Sequence, residues 1–196
     1  MPKVGMQPIR RQQLIDATIR TIARVGYSET TVSRIAKEAN LSVGIISHYF
    51  GGKQSLLEAS MAYLLFELHD AFLERLAAAQ SPRARLSAII AVNFASEQYA
   101  PGIVRAWLSF WAQVPFSPEL ARLQRIYNAR LISNLSHELS TFMPRGDARS
   151  DAQVIASLID GFWLRTTVGS EGPDLDAVQA HIEASIDRLI ADRTAR

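Results

Sequence analysis

The chain has 196 residues, 48% of them hydrophobic, and a net charge of +2; it is long enough to bury a core in one or two units and too apolar to be disordered. It has no cysteine, which excludes a disulfide framework and thiolate metal sites and fits a reducing compartment. No run approaches the roughly 18 uninterrupted apolar residues of a membrane span, and the N-terminus has no signal-peptide stretch, so a soluble, cytoplasmic protein with no membrane partner is expected.

Apolar residues recur at helical spacing along nearly the whole chain, and strand alternation is almost absent. An all-α fold is predicted. Residues 8–25 place Ile15, Thr18, Ile19 and Ile22 on one face, with Gly26 as a stop. Thr30 or Thr31 caps a second helix in which Val32, Ile35, Ala36 and Ala39 share a face. Asn40 stands where a left-handed, helix-ending residue belongs. LSVGIISHYF, residues 41–50, is the third helix, and Gly51-Gly52 breaks the chain. Six more helices are predicted at about 53–79, 82–98, 101–113, 118–143, 148–168 and 174–192, with GSEGPD as the loop before the last. The expected organisation is a three-helix head, residues 1–52, on a six-helix body, residues 53–196.

Charge follows the same division. Residues 1–53 hold eight Lys and Arg against three acids, a net of +5, and the remaining 143 residues carry a net of −3. A basic head on a mildly acidic body suits a polyanionic partner.

On a helical wheel of LSVGIISHYF, Val43, Ile46 and Phe50 form one core-facing stripe. Ser42, Gly44, Ile45, Ser47, His48 and Tyr49 are left outside. That outer surface is small, uncharged or hydrogen-bonding, as a helix entering the major groove requires. Gly44 costs about 1 kcal/mol of helix propensity and removes a side chain where DNA comes near. Ile45 can touch a thymine methyl, and His48 and Tyr49 can donate to phosphates or base edges. The short turn Asn40-Leu41 makes the second and third helices a helix-turn-helix. Lys53 opens the fourth helix beside free N–H groups that can hold a phosphate. Lys3, Arg10 and Arg11 form a basic lead-in to the DNA backbone or a minor groove. A plain helical bundle with His48 and Tyr49 on its surface accounts for the wheel alone; the charge split favours DNA.

The run TVSRIAKEANLSVGIISHYFGGKQSLL resembles the signature of the TetR family of repressors. Thr31, Ile35, Ala36, Ala39, Ser42, Gly44, Ile46, Tyr49, Phe50, Lys53 and Leu56 match it. Asn40 replaces the usual glycine, and Ser47 replaces a frequent tyrosine that contacts phosphate. The resemblance implies a homodimer reading an inverted-repeat operator in double-stranded DNA. The DNA-facing set is then Thr31, Arg34, Ser42, Val43, Gly44, Ile45, Ser47, His48, Tyr49 and Lys53, with Lys3, Arg10 and Arg11 leading in. MPKVGMQPIRRQQLIDAT, GIISHYF, AWLSFWA and LIDGFWLR are also similar to a choline-responsive branch of the family, which controls synthesis of glycine betaine from choline. That implies choline or a related quaternary ammonium as effector.

In the body, Trp107, Phe110 and Trp111 sit at i, i+3 and i+4, and Phe94, Tyr99, Tyr127, Phe162 and Trp163 lie on neighbouring helices. Asp160 stands inside the apolar run SLIDGFWL, where a carboxylate is costly unless partnered. An ordinary aromatic core, with Asp160 paired to Arg165 or another arginine, accounts for any single ring. As a set, rings plus one carboxylate suit a quaternary ammonium ion. The ligand candidates are Trp111 first, then Trp107, Phe94, Tyr127 and Trp163, with Asp160 as the charge. Ile155, Leu158, Ile159 and Phe162 form one apolar stripe; Leu175, Val178, Ile182, Ile186 and Leu189 form another. The family pairs these two helices across a two-fold axis, so Ile155, Leu158, Ile159, Phe162, Val178, Ile182, Ile186 and Leu189 are the expected dimer interface.

No enzyme signature competes. His48, His69, His137 and His181 lack metal-ligand spacing, no Gly-x-Ser-x-Gly elbow exists, and GGK at 51–53 is not a phosphate loop. No catalytic residue, metal or cofactor is expected. The remaining alternative is a repressor of the same family answering another cationic or hydrophobic molecule.

Overall fold

The computed structural model describes residues 6–169 and 174–194. Among these, nine α-helices occur in the order α1 Met6–Glu29, α2 Val32–Glu38, α3 Val43–Phe50, α4 Lys53–Ala78, α5 Pro82–Asn93, α6 Pro101–Gln113, α7 Pro118–Leu139, α8 Arg145–Val168 and α9 Leu175–Thr194. Short 3-10 turns follow α5 and α6, at Ser96–Tyr99 and Val114–Phe116. Lys3 and most of the GSEGPD loop lie outside the described residues.

Local chemistry accounts for most of the boundaries. Gly26 takes φ 78° within α1 and kinks the helix where a stop is expected. Thr31 caps α2, its hydroxyl accepting the backbone N–H of Arg34. Asn40 takes φ 52°, and Gly51 takes φ 78° as the left-handed end of α3. α5 stops at Asn93, several residues short of the expected end. The Asn93 amide donates to the carbonyl of Ile89 and Phe94 leaves helical geometry, a side chain competing with the backbone ladder. α7 stops at Leu139 rather than near 143. There the Ser140 and Thr141 hydroxyls donate to the carbonyls of His137 and Glu138. α8 starts at Arg145, earlier than expected, because extended Pro144 suits the position before a helix.

The chain forms two compact units: Met1–Phe66 with Ala100–Leu123, and Glu67–Tyr99 with Gln124–Arg196. This partition by compactness is a different cut from a head and body divided at residue 52. It places α6 with α1–α3, and it divides α4 and α7 between the units.

In the first unit, Leu14, Ile19 and Ile22 of α1, Ile35 of α2, Ile46 of α3 and Leu56 and Leu57 of α4 are buried together with Ala106 and Phe110 of α6. Each of the leucine, isoleucine and phenylalanine side chains contributes roughly 1.5–3 kcal/mol. Arg20 and Arg24 of α1 both pair with Glu38 of α2, at 3.0 and 3.1 Å. Gly102 of α6 lies against α1, where an added Cβ would stand 3.6 Å from that of Ala23. Arg105 donates to the Ala23 carbonyl at 3.1 Å.

In the second unit the core is Leu86, Ile89, Ile90, Leu131, Leu135, Leu139, Ile155, Ile159, Val178, Ile182 and Ile186. Ion pairs tie its helices at the edges. Arg83 of α5 reaches Glu183 and Asp187 of α9, Arg85 of α5 reaches buried Glu138 of α7, and Arg193 of α9 reaches Asp147 and Asp151 of α8.

Candidate nucleic-acid interface and ligand site

α3 presents its outer face as an open surface. Ile46 is fully buried and anchors the helix, while Ser42, Gly44, Ser47 and His48 are exposed and Ile45 and Tyr49 are half-buried. A Cβ added at Gly44 would meet nothing within 4 Å. Packing within the chain therefore does not require glycine there. The Ser42 hydroxyl makes no capping bond at the start of α3, which leaves it available to a phosphate. His48 and Tyr49 meet edge to face, with ring centroids 4.9 Å apart.

Val43 departs from the expected stripe: it is 45% exposed. As the first residue of the helix it lies beyond the edge of the core, and Phe50 is half-buried at the other end. Val43 thus belongs with the outward set. Arg11 has partners within the chain. Its guanidinium donates to the Tyr49 carbonyl and stands 4.2 Å over the Phe50 ring. It satisfies a carbonyl at the C-terminal end of α3, where positive charge is favourable, so it holds the recognition helix from within. Arg10 bonds Gln13 at 2.8 Å. Arg34 pairs with exposed Glu29 at 3.0 Å, and Thr31 is engaged as the α2 cap. Lys53 stands at the start of α4, its ammonium 5.8 Å from the Tyr27 ring centroid. Burial raises the phenol pKa of Tyr27.

The second unit gathers Phe94, Tyr127, Asp160 and Trp163 of the ligand candidates. Tyr99, on the 3-10 turn, joins the rings. Its centroid lies 6.2 Å from Phe94 and 6.3 Å from Trp163. Thr166 of α8 donates to the Tyr99 oxygen at 3.3 Å, and burial pushes that phenol up to about 12. The Tyr127 hydroxyl donates to Asn93 Oδ1 at 2.9 Å. Burial first, and the Asp160 charge second, hold the Tyr127 phenol above its ordinary range. Asp160 is half-buried, and desolvation raises its carboxyl. Within the second unit, neither Arg165 nor any other described residue gives it a hydrogen bond or an ion pair. Trp107 and Trp111 are carried by α6 in the first unit.

Sequence reasoning missed Asn93 as a member of this cluster. The signal was an amide in the apolar run LSAIIAVNF. Among the described residues no group of His, Cys, Asp and Glu has a metal-binding arrangement, and no helix is long and apolar enough to cross a membrane.

The residues of the expected dimer stripe differ in burial within the single chain. Ile155, Ile159, Val178, Ile182 and Ile186 are buried inside the second unit itself, because α8 and α9 turn these faces into their own core. Leu158, Phe162 and Leu189 are half-buried. The exposed apolar side chains of α8 are Val154, Leu164 and Val168, with open space beside Gly161.

Two family models match the chain. "Bacterial regulatory proteins, tetR family" covers residues 14–60, and "BetI-type transcriptional repressor, C-terminal" covers residues 82–191. The regulator BetI of Burkholderia mallei is 47% identical over 98% of this chain and all of its own length. BetI 2 of Chromohalobacter salexigens is 49% identical over 97% of this chain and 93% of its own. Among solved structures, a transcriptional regulator from Pseudomonas aeruginosa PAO1 superposes with a TM-score of 0.85 at 26% identity, over 96% of this chain and 93% of that one. A regulator from Saccharomonospora viridis, solved in complex with choline, has a TM-score of 0.81 at 22% identity over 92% and 96%; at that identity it shows a shared fold.

Proposed function

Because the chain belongs to the TetR family of transcriptional regulators and carries a BetI-type repressor body, we propose that choline relieves its repression of genes that make glycine betaine from choline. It is a regulator and not an enzyme, as its relatives are. The observation that carries the choline reading is Asp160. A half-buried carboxylate with no cationic partner among the described residues of its own unit is costly unless a cation arrives. A trimethylammonium group cannot donate a conventional hydrogen bond, so ring faces and a nearby negative charge must hold it. Phe94, Tyr99 and Trp163 supply the rings, each worth roughly 0.5–2 kcal/mol once desolvated. The choline-bound Saccharomonospora viridis regulator, which shares the fold, lends weight to the same reading.

The head reads DNA through the outward face of α3. Lys53→Ala is expected to weaken binding to all sequences alike and to reduce the salt slope by about one unit. An unchanged slope would remove Lys53 from the phosphate contacts. The recognition helix covers few base pairs, and a two-fold dimer doubles its specific contacts. We place the dimer contact on Val154, Leu158, Gly161, Leu164 and Val168. α4 begins one short turn after α3 and belongs in part to each unit, which makes it the covalent route from ligand site to head. α6 resting on α1 through Gly102 and Arg105 gives the head a second support.

Calorimetry with choline and its uncharged carbon analogue 3,3-dimethylbutanol tests the site. Choline should bind and the analogue should not, and Asp160→Asn should lose most of the choline affinity. Acidification should act in the same direction. Choline favours the ionised carboxylate, and burial raises the pKa of that group. Affinity should therefore fall as pH drops through a range above that of an ordinary carboxylate. Equal binding of the analogue would refute a cation site at Asp160.

A further inference from the structure

Gln124 of α7 carries an unsatisfied group. Among the described residues, its Oε1 is the one buried side-chain oxygen or nitrogen without a hydrogen-bond partner. The amide nitrogen donates to Asn128 Oδ1 at 3.0 Å, and the oxygen is buried. Folded proteins leave few buried acceptors unmet, because each costs about 1–3 kcal/mol.

Its position in the fold suggests the missing donor. Gln124 precedes Tyr127 by three residues, so the two side chains emerge from the same side of α7, about one turn apart. Tyr127 is the α7 residue that bonds Asn93 and feels the charge of Asp160. The carboxylate and rings account for the cationic end of choline and leave its hydroxyl, on a short ethylene arm, without a partner. That hydroxyl is the one hydrogen-bond donor choline possesses.

We infer that Gln124 is the residue that reads the ligand's hydroxyl: its Oε1 accepts the O–H of the bound quaternary ammonium alcohol. The inference rests on the choline reading above. It makes the site selective for the alcohol over its oxidised forms, whose terminal oxygens only accept. A carboxylate end would also face the like charge of Asp160.

The test is calorimetry of the full chain with choline and with n-propyltrimethylammonium, which carries a methyl group in place of the hydroxyl. Wild type should prefer choline on the order of tenfold, the scale of one buried hydrogen bond gained or left unmade. Gln124→Met and Gln124→Leu should lose this preference. Both should bind n-propyltrimethylammonium at least as well as wild type does, which a general loss of structure cannot produce. Variants that keep the wild-type preference, or that lose both cations in parallel, overturn the role of Gln124 and leave the choline site standing. Wild type that binds both cations equally does the same. Wild type that binds neither overturns the choline reading and this inference with it.

Discussion

Gly44→Ala is expected to stabilise the free protein while weakening its hold on operator DNA, and Gly44→Leu to abolish tight docking. Glycine inside a helix costs about 1 kcal/mol relative to alanine. A Cβ at this position meets nothing within 4 Å, so alanine should recover most of that cost, raising the melting temperature by about 2–4 °C for a chain of this size. On DNA the sign reverses. Gly44 lies on the outward face of α3 between exposed Val43 and Ser47, where the helix approaches base edges. A leucine would hold the helix off and forfeit base contacts worth roughly 1–3 kcal/mol each, a loss of the order of a hundredfold when two are lost. Melting curves and operator titrations on the same preparations separate the two effects. Wild-type affinity in Gly44→Leu would sink the groove assignment.

The second large effect separates core from interface. Ile182→Glu should unfold the body, whereas Val154→Glu with Leu164→Glu should leave it folded and monomeric. Ile182 is 0% exposed. An unpaired carboxylate there forfeits the apolar burial and adds desolvation, which together exceed about 4 kcal/mol. Val154 and Leu164 are 48% and 44% exposed, so charges there cost the single chain little. Across a two-fold axis each charge meets its own copy or that copy's apolar face. Circular dichroism with light scattering reads both outcomes. A folded Ile182→Glu variant would contradict the core placement; a dimer surviving the Val154 and Leu164 changes would move the interface off this face of α8.

Features governed by local chemistry were legible in the chain. Gly26, Asn40 and Gly51 interrupt helical geometry for backbone reasons that belong to residue type: Gly26 kinks α1, and Asn40 and Gly51 take positive φ after α2 and α3. The outward set of α3 follows from spacing except at Val43, which the wheel puts on the core-facing stripe and which is 45% exposed. What was not legible depends on which neighbour covers a face. A helical wheel shows that Ile182 and Ile186 share an apolar stripe with Val178, but not whether their own unit or a second copy buries it. Arg11 reads as part of a basic lead-in, and nothing in the sequence signals the bond of its guanidinium to the Tyr49 carbonyl. The end of α5 at Asn93 turns on one side-chain bond to Ile89, and that same amide then anchors Tyr127. Asp160 was recognisable as costly; its lack of a described partner within its own unit is a fact of packing.

Footprinting on the DNA upstream of its own gene, with and without choline, tests the central claim most directly. The account predicts a protected inverted repeat whose half-protection point rises by about 5- to 150-fold in protein when choline is saturating, the range of coupling free energies near 1–3 kcal/mol. Linkage then requires the same DNA to weaken choline binding by the same factor. A footprint with an unchanged midpoint at saturating choline, or no protected repeat at all, would contradict it.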